Sequence, residues 1–332
     1  MSGDRKPPQS NPNRPPGVPA EFEDSVDWDA WLYYADQLTQ SEIAEILKLS
    51  RASIVKLLQE ARERGVVTIR LNTEAASRTR IARALTERFG LTAVTAIPAL
   101  EGTPLVRRLG DAGARVLADQ IAPGDVIGVA WGRTILALAR AIVPPEGVAP
   151  LTVVQVSGSS TGGSAEFSPE LCSSLLASRL MARCANLLAP AVVSTPELRD
   201  RLMLEPWLVK QFQLIRAARR IVFGVGDVGP GSTVRDSELA GNDVIDAYIA
   251  SGAVAAIIGL FIDAAGQPVA GDLDGRRIGI TLPELKTIPA RICVAGGPGK
   301  VAALRAALRG GYVTHLVTDI ATGEALLAGP AD

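Results

Sequence analysis

Two turns in the sequence combine glycine with a basic residue, and such a turn can bind an anion. The segment Trp131-Gly132-Arg133-Thr134 follows an apolar run and opens a helical one. The first amides and the dipole of a helix attract negative charge, so an anion would bind at this turn. Gly132 permits close approach, Arg133 supplies a charge, and Thr134 supplies a hydroxyl donor. One alternative is that Arg133 points to solvent, and another is that the whole motif is a tight turn without a ligand.

The second turn is Gly296-Gly297-Pro298-Gly299-Lys300, which also joins an apolar run to a helical one. Its position places the Lys300 ammonium where it can neutralise a phosphate. The segment is not a Walker A loop, because its glycine spacing differs and Val301 stands where Ser or Thr would bind magnesium. The alternative is a surface lysine without a ligand.

A third glycine-rich segment, Gly224–Gly229, formally matches the fingerprint of a dinucleotide-binding enzyme. Pro230-Gly231 follows where a helix would have to continue, so the match fails the strand-turn-helix requirement for pyrophosphate binding. We interpret the segment as a loop that lines a pocket, with Asp227, Ser232 and Thr233 available for ligand hydroxyl groups. No cofactor is expected.

Other residue types limit the chemistry further. Ser157-Gly158, after the apolar run 151–156, forms another candidate contact loop. The chain has three cysteines without close spacing and a single histidine, His315. Zinc sites and Ser-His-Asp triads depend on imidazole or on clustered thiolates, so we expect neither a metal site nor such a triad.

Residues 39–61 have the pattern of two short helices joined by a turn. Thr39 and Glu42 fit a capping box at the start of the first helix, and Ser50 is a suitable N-cap for the second. The second helix would bury an apolar face and expose small and basic residues, as the reading helix of a helix-turn-helix does in the major groove. The DNA-contact candidates are Thr39, Gln40, Ser50, Arg51, Ala52, Ser53 and Lys56.

Local charge supports this interpretation, although the whole chain has a net charge of only −1. Residues 48–70 contain six basic and two acidic residues. A local basic face is sufficient for binding DNA. Residues 66–71 would then form the strand of a wing. The alternative is a helical hairpin that serves only in oligomerisation.

The elements that must position these residues suggest two domains. We expect a disordered proline-rich tail at residues 1–25, a winged helix-turn-helix at 26–73, a linker helix at 74–90 and a large domain at 91–332. In the large domain, short apolar runs alternate with helical stretches. This rhythm predicts an α/β fold with a mainly parallel sheet and helices on both faces. The run at 253–263 is one of its strand candidates.

The segment LTQSEIAEILKLSRASIVKLLQEARERGVVTIRL resembles the helix-turn-helix of the SorC family of sugar-responsive bacterial regulators. Four later motifs are similar to the effector domain of that family, in the same order. They are GDVIGVAWGRT (124–134), GVGDVGPGST (224–233), GLFIDAAGQPV (259–269) and VAGGPGKVAALRAALRGG (294–311), the last followed by LVTD. The resemblance covers roughly residues 27–328.

The resemblance implies an effector domain related in fold to sugar-phosphate isomerases and coenzyme A transferases, assembled as dimers or tetramers. It implies a phosphate-binding role for Lys300 and places Asp263 near the sugar; a turn-forming Asp263 is the alternative. Ser157 stands where members that bind sugar bisphosphates have a basic residue. The resemblance therefore does not carry a second phosphate site onto this chain.

The expected function is that of a DNA-binding transcriptional regulator controlled by a sugar, sugar alcohol or sugar phosphate. Its partners would be operator DNA, the effector and further copies of itself. We expect it to be cytoplasmic, since no apolar run is long enough to span a membrane and the polar, proline-rich first residues do not resemble a secretory signal. The alternative is an isomerase-like enzyme fused to a DNA-binding domain, with Asp227, Asp263 and Lys300 as its candidate acid-base groups.

Overall fold

A computed structural model describes residues 18–19, 21–22, 24–67, 73–100, 102–159, 167–237 and 239–329. The chain divides into two compact units, Met1–Asn72 and Thr73–Asp332. Most of the tail expected at residues 1–25 lies outside the described residues. Of the expected wing strand, only Val66 and Val67 are described.

The first unit contains three helices around a small apolar core. They are α1 (Ser25–Tyr34), α2 (Gln40–Leu47) and α3 (Arg51–Glu63). Leu32, Ile43, Ile54 and Leu58 form the buried centre, with one or two side chains from each helix. The helices α2 and α3 occupy the positions that the sequence pattern predicts.

Two caps and a left-handed residue explain why α2 and α3 are separate helices. The Glu42 amide donates to Thr39 Oγ1 (3.3 Å) and the Thr39 amide donates to Glu42 Oε2 (2.7 Å), which completes the capping box. Lys48 has a φ of 52°, so the chain leaves α2 through the left-handed region. Ser50 then caps α3 by accepting a hydrogen bond from the Ser53 amide at 3.1 Å.

The second unit is built on a seven-stranded sheet in the order β1-β10-β9-β5-β2-β3-β4, and all its neighbouring strands are parallel. A separate antiparallel sheet has the order β6-β7-β8. The strands are β1 (Ala93–Ile97), β2 (Val126–Val129), β3 (Thr152–Gln155), β4 (Arg183–Ala185), β5 (Arg220–Phe223), β6 (Val225–Asp227), β7 (Ala255–Ile257), β8 (Leu260–Ile262), β9 (Ala290–Val294) and β10 (His315–Asp319).

Helices cover both faces of the large sheet. The helices of the second unit are α4 (Thr73–Phe89), α5 (Leu105–Ala118), α6 (Arg133–Ala141), α7 (Pro169–Arg179), α8 (Pro196–Met203), α9 (Pro206–Arg216), α10 (Thr233–Asp236), α11 (Asn242–Ala250), α12 (Leu282–Thr287), α13 (Val301–Arg309) and α14 (Ile320–Ala328). Of these, α10 and α11 contribute their buried side chains to a separate cluster with the antiparallel sheet. The fold class that the alternating pattern predicts, a mainly parallel sheet between layers of helices, is therefore confirmed.

Side chains that alternate along each strand form two apolar clusters, one on each face of the sheet. Ile221 and Phe223 belong to one cluster and Val222 to the other, as the two-residue period of a strand requires. The first cluster includes side chains of α4, α9, α12, α13 and α14. The second includes side chains of α5, α6 and α7.

The apolar run 253–263 differs from the single strand that the sequence indicates. It forms two antiparallel strands, β7 and β8, joined by the two-residue turn Ile258-Gly259. Both turn residues have positive φ, at 52° and 74°. Such turns match the twist of a hairpin, and they usually contain Asn or Asp rather than Ile. The expectation of one strand is therefore wrong.

Helix α4, which we expected as a linker, belongs to the second unit and packs within it. Its Ile81 and Leu85 are buried in the first apolar cluster. A Cβ on Gly323 of α14 would lie only 2.6 Å from Ile81 Cγ2, so α4 and α14 approach closely. No helix of the described residues is long and apolar enough to span a membrane.

Candidate functional site

A pocket of about 260 Å³ lies at the carboxyl ends of three adjacent strands of the large sheet. Its walls include Ala130–Thr134 after β2, Gly224–Asp227 after β5 and Val294–Gly296 at the end of β9, together with Lys300. Ligand sites of open parallel sheets are typically found at this edge. The three turns singled out in the sequence therefore meet in one place.

Most of the effector residues expected from the sequence line this pocket. They are Gly132, Arg133, Thr134, Asp227, Ser232, Thr233 and Lys300. Ser157 and Gly158 line a smaller neighbouring cavity. Asp263 lines neither of these two cavities.

The start of α6 forms one wall of the pocket. Gly132 precedes the helix with a φ of 121°, a conformation that a residue with a Cβ rarely adopts. No side chain caps the helix, and the Leu136 amide is the first to bond back, to the Gly132 carbonyl at 2.9 Å. Because the first amides of a helix have no acceptor within it, those of residues 133–135 are available to a ligand.

The Lys300 ammonium forms an ion pair within the pocket. Its Nζ lies 2.6 Å from Asp227 Oδ2, and both side chains are partly buried. The other Asp227 oxygen, Oδ1, accepts a hydrogen bond from the Gly229 amide at 3.3 Å. An ammonium has three donors, so Lys300 can bind an oxygen of a ligand while it remains close to Asp227.

Arg133 lies at the rim of the pocket. Its Nη2 lies 2.5 Å from Asp236 Oδ2, and its guanidinium carbon lies 5.3 Å from the centre of the Phe167 ring. Its side chain is 51% exposed. Asp236 therefore balances the Arg133 charge at the rim of the pocket.

Ser232 and Thr233 offer hydroxyl groups to the pocket. The Ser232 side chain is buried, and its Oγ has no hydrogen-bond partner among the described residues. Leaving such a group unpaired costs about 1–3 kcal/mol. A ligand hydroxyl that pairs with Ser232 would recover part of this energy, so Ser232 favours a hydroxylated ligand.

The sequence patterns did not identify the residues that form hydrogen bonds to the second glycine turn. The Gly297 amide donates to Asp319 Oδ2 at 2.8 Å and to Thr322 Oγ1 at 2.7 Å. The apolar wall was also missed, since Leu105, Leu109 and Ile258 line the pocket from other elements. The segment LVTD marks Asp319 as a strand-end carboxylate, but the sequence contains no signal for its partner.

Asp263 has a local role. Its Oδ1 accepts hydrogen bonds from the amides of Ala265 (2.9 Å) and Gln267 (2.8 Å), so the side chain stabilises the turn after β8. This geometry corresponds to the turn-forming alternative. We therefore leave Asp263 out of the binding set that we propose below.

The DNA-contact candidates lie on the first unit, around the start of α3. Arg51, Ala52 and Lys56 are exposed, and Arg51 Nε donates to Gln40 Oε1 of α2 at 3.3 Å. The Ser50 and Ser53 hydroxyl groups are 2.8 Å apart. Thr39 belongs to the capping box of α2, where its hydroxyl bonds to Glu42.

Comparisons with known proteins agree on one family. Residues 73–328 match the family model Sugar-bind, which describes a sugar-binding domain. The transcriptional regulator YjhU of Escherichia coli (strain K12) is 36% identical over 92% of this chain and 95% of its own. The crystal structure of the full-length sorbitol operon regulator SorC from Klebsiella pneumoniae superposes with a TM-score of 0.71 and 25% identity. That match covers 91% of this chain and 97% of the other.

The chain belongs to the SorC family of transcriptional regulators. A further relative with a regulator's name is LsrR of Klebsiella pneumoniae, 32% identical over 95% of this chain and 96% of its own. This SorC-family chain is therefore a sugar-responsive, DNA-binding regulator, and its relatives do not favour the isomerase-like enzyme. The sugar-binding family model begins at residue 73, where the second compact unit begins.

Proposed function

We propose that this protein binds operator DNA through α3 of its first unit. Binding of an effector in the pocket of its second unit raises or lowers the affinity for this DNA. The observation that carries the proposal is the convergence of Lys300, the Ser232 hydroxyl and the free amides of α6 on one pocket. A sequence-specific regulator acts in the cytoplasm, where its operator is. Ligand binding changes DNA binding only if the effector prefers one of two states of the protein.

The effector is a sugar or a sugar derivative, such as a sugar alcohol or a sugar phosphate. Unpaired hydroxyl and amide groups of the pocket suit a ligand rich in hydroxyl groups. A phosphate would bind at the start of α6 or beside Lys300, where it would compete with the Asp227 carboxylate. The proposed effector residues are Gly132, Arg133, Thr134, Asp227, Ser232, Thr233 and Lys300, with Ser157 and Gly158 at the adjoining cavity.

The DNA-reading surface consists of small and basic residues at the start of α3, which are exposed or half-buried. Ser53 and Ala52 are small enough to approach base edges, and Arg51 and Lys56 carry the charge that phosphates attract. The operator is a pair of half-sites read by two copies of the chain, since helix-turn-helix proteins bind two-fold symmetric sites as dimers. The protein is accordingly a dimer or tetramer.

Binding of the full chain to labelled DNA from upstream of its own operon tests the first part of the proposal. We expect tight, salt-sensitive binding, and Arg51→Ala should weaken it by about 1–3 kcal/mol if Arg51 reads a base. Arg115→Ala removes an exposed arginine of α5 in the second unit and serves as the matched control. Absence of specific binding at every salt concentration would refute the proposal.

The effector arm of the same assay uses a panel of sugars, alditols and sugar phosphates added singly. One compound should shift the DNA affinity of the wild type. Lys300→Met should abolish the shift without changing the DNA affinity of the free protein, while Lys210→Met, on the exposed part of α9, should leave both unchanged. An unaltered shift in the Lys300 variant would exclude this pocket as the effector site.

A further inference from the structure

A buried arginine lies beside the main pocket without a carboxylate partner. Arg277 is only 6% exposed. Its Nη2 donates to the Ile258 carbonyl at 2.6 Å and its Nη1 to the Ile280 carbonyl at 3.4 Å. Arg277 belongs to none of the ion pairs found among the described residues. A guanidinium has five N–H donors, and these two carbonyls are its hydrogen-bond acceptors among the described residues.

Burial without a counter-ion is costly for this group. Desolvation lowers the pKa of Arg277 to about 10, and the nearby charge of Asp274 opposes the shift without forming a hydrogen bond to it. The Asp274 carboxylate instead accepts hydrogen bonds from the Tyr248 hydroxyl (3.2 Å) and the Gly271 amide (2.6 Å). An anion that reached Arg277 would therefore gain an attraction that the protein itself leaves unsatisfied.

A second unsatisfied group lies next to Arg277. The Ser157 side chain is 3% exposed, and its Oγ has no hydrogen-bond partner among the described residues. Ser157 pairs with Gly279 in an isolated antiparallel bridge. A Cβ placed on Gly279 would lie 3.0 Å from the Ser157 Cα and 3.2 Å from the Arg277 Nη2. The hydroxyl-bearing residue and the guanidinium thus flank one glycine.

Both side chains line the same small cavity, which adjoins the main pocket. Its volume of about 10 Å³ is close to that of one water-sized particle. Trp131 and Ile258 line this cavity and the main pocket alike. A ligand oxygen can occupy a space of this size, whereas the four oxygens of a phosphate group would require the walls to separate.

The other two cations of this region are already balanced. Lys300 is paired with Asp227 and Arg133 with Asp236, so a ligand anion at either must compete with a carboxylate. Among the described residues, no carboxylate forms a hydrogen bond or an ion pair with Arg277. We propose that the effector is a sugar acid, whose carboxylate is bound by Arg277 and Ser157 while its hydroxyl groups occupy the main pocket. A carboxylate can direct one oxygen into a space of this size and form a charge-assisted hydrogen bond with the guanidinium.

This inference rests on the proposed function, and a comparison of matched ligands tests it separately. Isothermal titration of the full chain would compare each aldonate with the alditol of the same carbon skeleton: gluconate with sorbitol, galactonate with galactitol, and xylonate with xylitol. We expect at least one aldonate to bind at least tenfold more tightly than its alditol. Both members of a pair present the same hydroxyl groups to the main pocket.

Substitutions test whether the preference for aldonates over alditols arises at this cavity. Arg277→Gln should reduce the ratio of aldonate affinity to alditol affinity to about one without changing the alditol affinity. Ser157→Ala should lower the same ratio while leaving the buried packing intact. Arg276→Gln is the matched control, because the neighbouring arginine is already paired with Asp272. If Arg277→Gln does not fold, Ser157→Ala alone decides. A purely structural Arg277 would affect stability and leave the ratio unchanged.

Two results would overturn the inference. One is that aldonates bind no more tightly than alditols, and the other is that the ratio of aldonate affinity to alditol affinity is unchanged in the folded variants. Operator binding, measured on the same preparations, distinguishes this failure from failure of the proposed function. Specific DNA binding with no aldonate preference overturns the sugar-acid effector alone, whereas loss of all specific DNA binding overturns the regulator as proposed.

Discussion

The Asp29 carboxyl group should make the stability of the first unit depend on pH. The side chain is fully buried in α1, and neither of its oxygens has a hydrogen-bond partner among the described residues. Desolvation raises its pKa from 3.8 to about 6. The folded state therefore binds the proton more tightly than the unfolded state. One unit of pKa corresponds to about 1.4 kcal/mol, so the full effect is about 3 kcal/mol.

The sign follows from the raised pKa. Below about pH 4, Asp29 is protonated in both states and contributes no penalty. As the pH rises from about 4 to about 6, the unfolded state ionises first, and the free energy of unfolding falls by about 3 kcal/mol. Above pH 6 the loss is constant. The pKa values of Asp24 and Glu42 are lowered by hydrogen bonds, so these groups reduce stability only when the pH falls towards their own range.

Urea unfolding at a series of pH values measures this effect. The chain has four tryptophans, of which Trp28 and Trp31 belong to the first unit. Replacing Trp131 and Trp207 by Phe leaves fluorescence that reports on the first unit. Asp29→Asn should remove most of the pH dependence between 4 and 6, while Asp36→Asn, on an exposed position, should retain it. Equal slopes in the wild type and the Asp29 variant would refute the reasoning.

Three further substitutions test the packing and the caps. Ser50→Ala removes the N-cap of α3 and should lower the unfolding free energy of the first unit by about 1 kcal/mol, measured with the same tryptophans. Gly110→Ala would place a Cβ 2.5 Å from Ala137 Cβ, between α5 and α6. It should lower the free energy of unfolding, measured by thermal unfolding, by about 1–3 kcal/mol. Gly299→Ala is the control, because a Cβ at Gly299 would meet open space and should not lower it. Gly266→Ala combines a φ of 79° with a clash against the Gly310 backbone, so its cost should exceed that of Gly110→Ala. An unchanged melting temperature in either clashing variant would contradict the packing described.

The parallel sheet could be predicted because its strands are buried on both faces. Such strands appear as continuous apolar runs between amphipathic helices, as at β2, β5 and β9. The same property concealed the hairpin of β7 and β8, since a continuous apolar run does not reveal where it reverses. The turn at Ile258-Gly259 has only its glycine as a signal. Hairpin and strand therefore could not be distinguished before the structure was known.

The part of the main pocket that is built from turns at strand ends could be predicted from the sequence. Gly132, Thr134 and Lys300 lie next to strand ends, and the edge of a parallel sheet brings such ends together. The buried position of Arg277 beside the cavity could not be predicted, because the sequence around it has the pattern of an ordinary half-buried segment. Its environment arises from Ser157 and Ile258, each distant in sequence. Asp263 shows the reverse case, in which a local turn explains the residue fully.

The hydrogen bonds of the Gly297 amide have a consequence for communication along the chain. They attach the second glycine turn, which borders the main pocket, to Asp319 and Thr322 at the start of α14, and α14 packs at close range on α4. Helix α4 begins at Thr73, directly after the first unit ends at Asn72. A displacement of that turn would thus pass through these hydrogen bonds and the α14–α4 contact to Ile81, in the helix with which the second unit begins. Because packed interiors have low compressibility, little of such a displacement would be absorbed on the way.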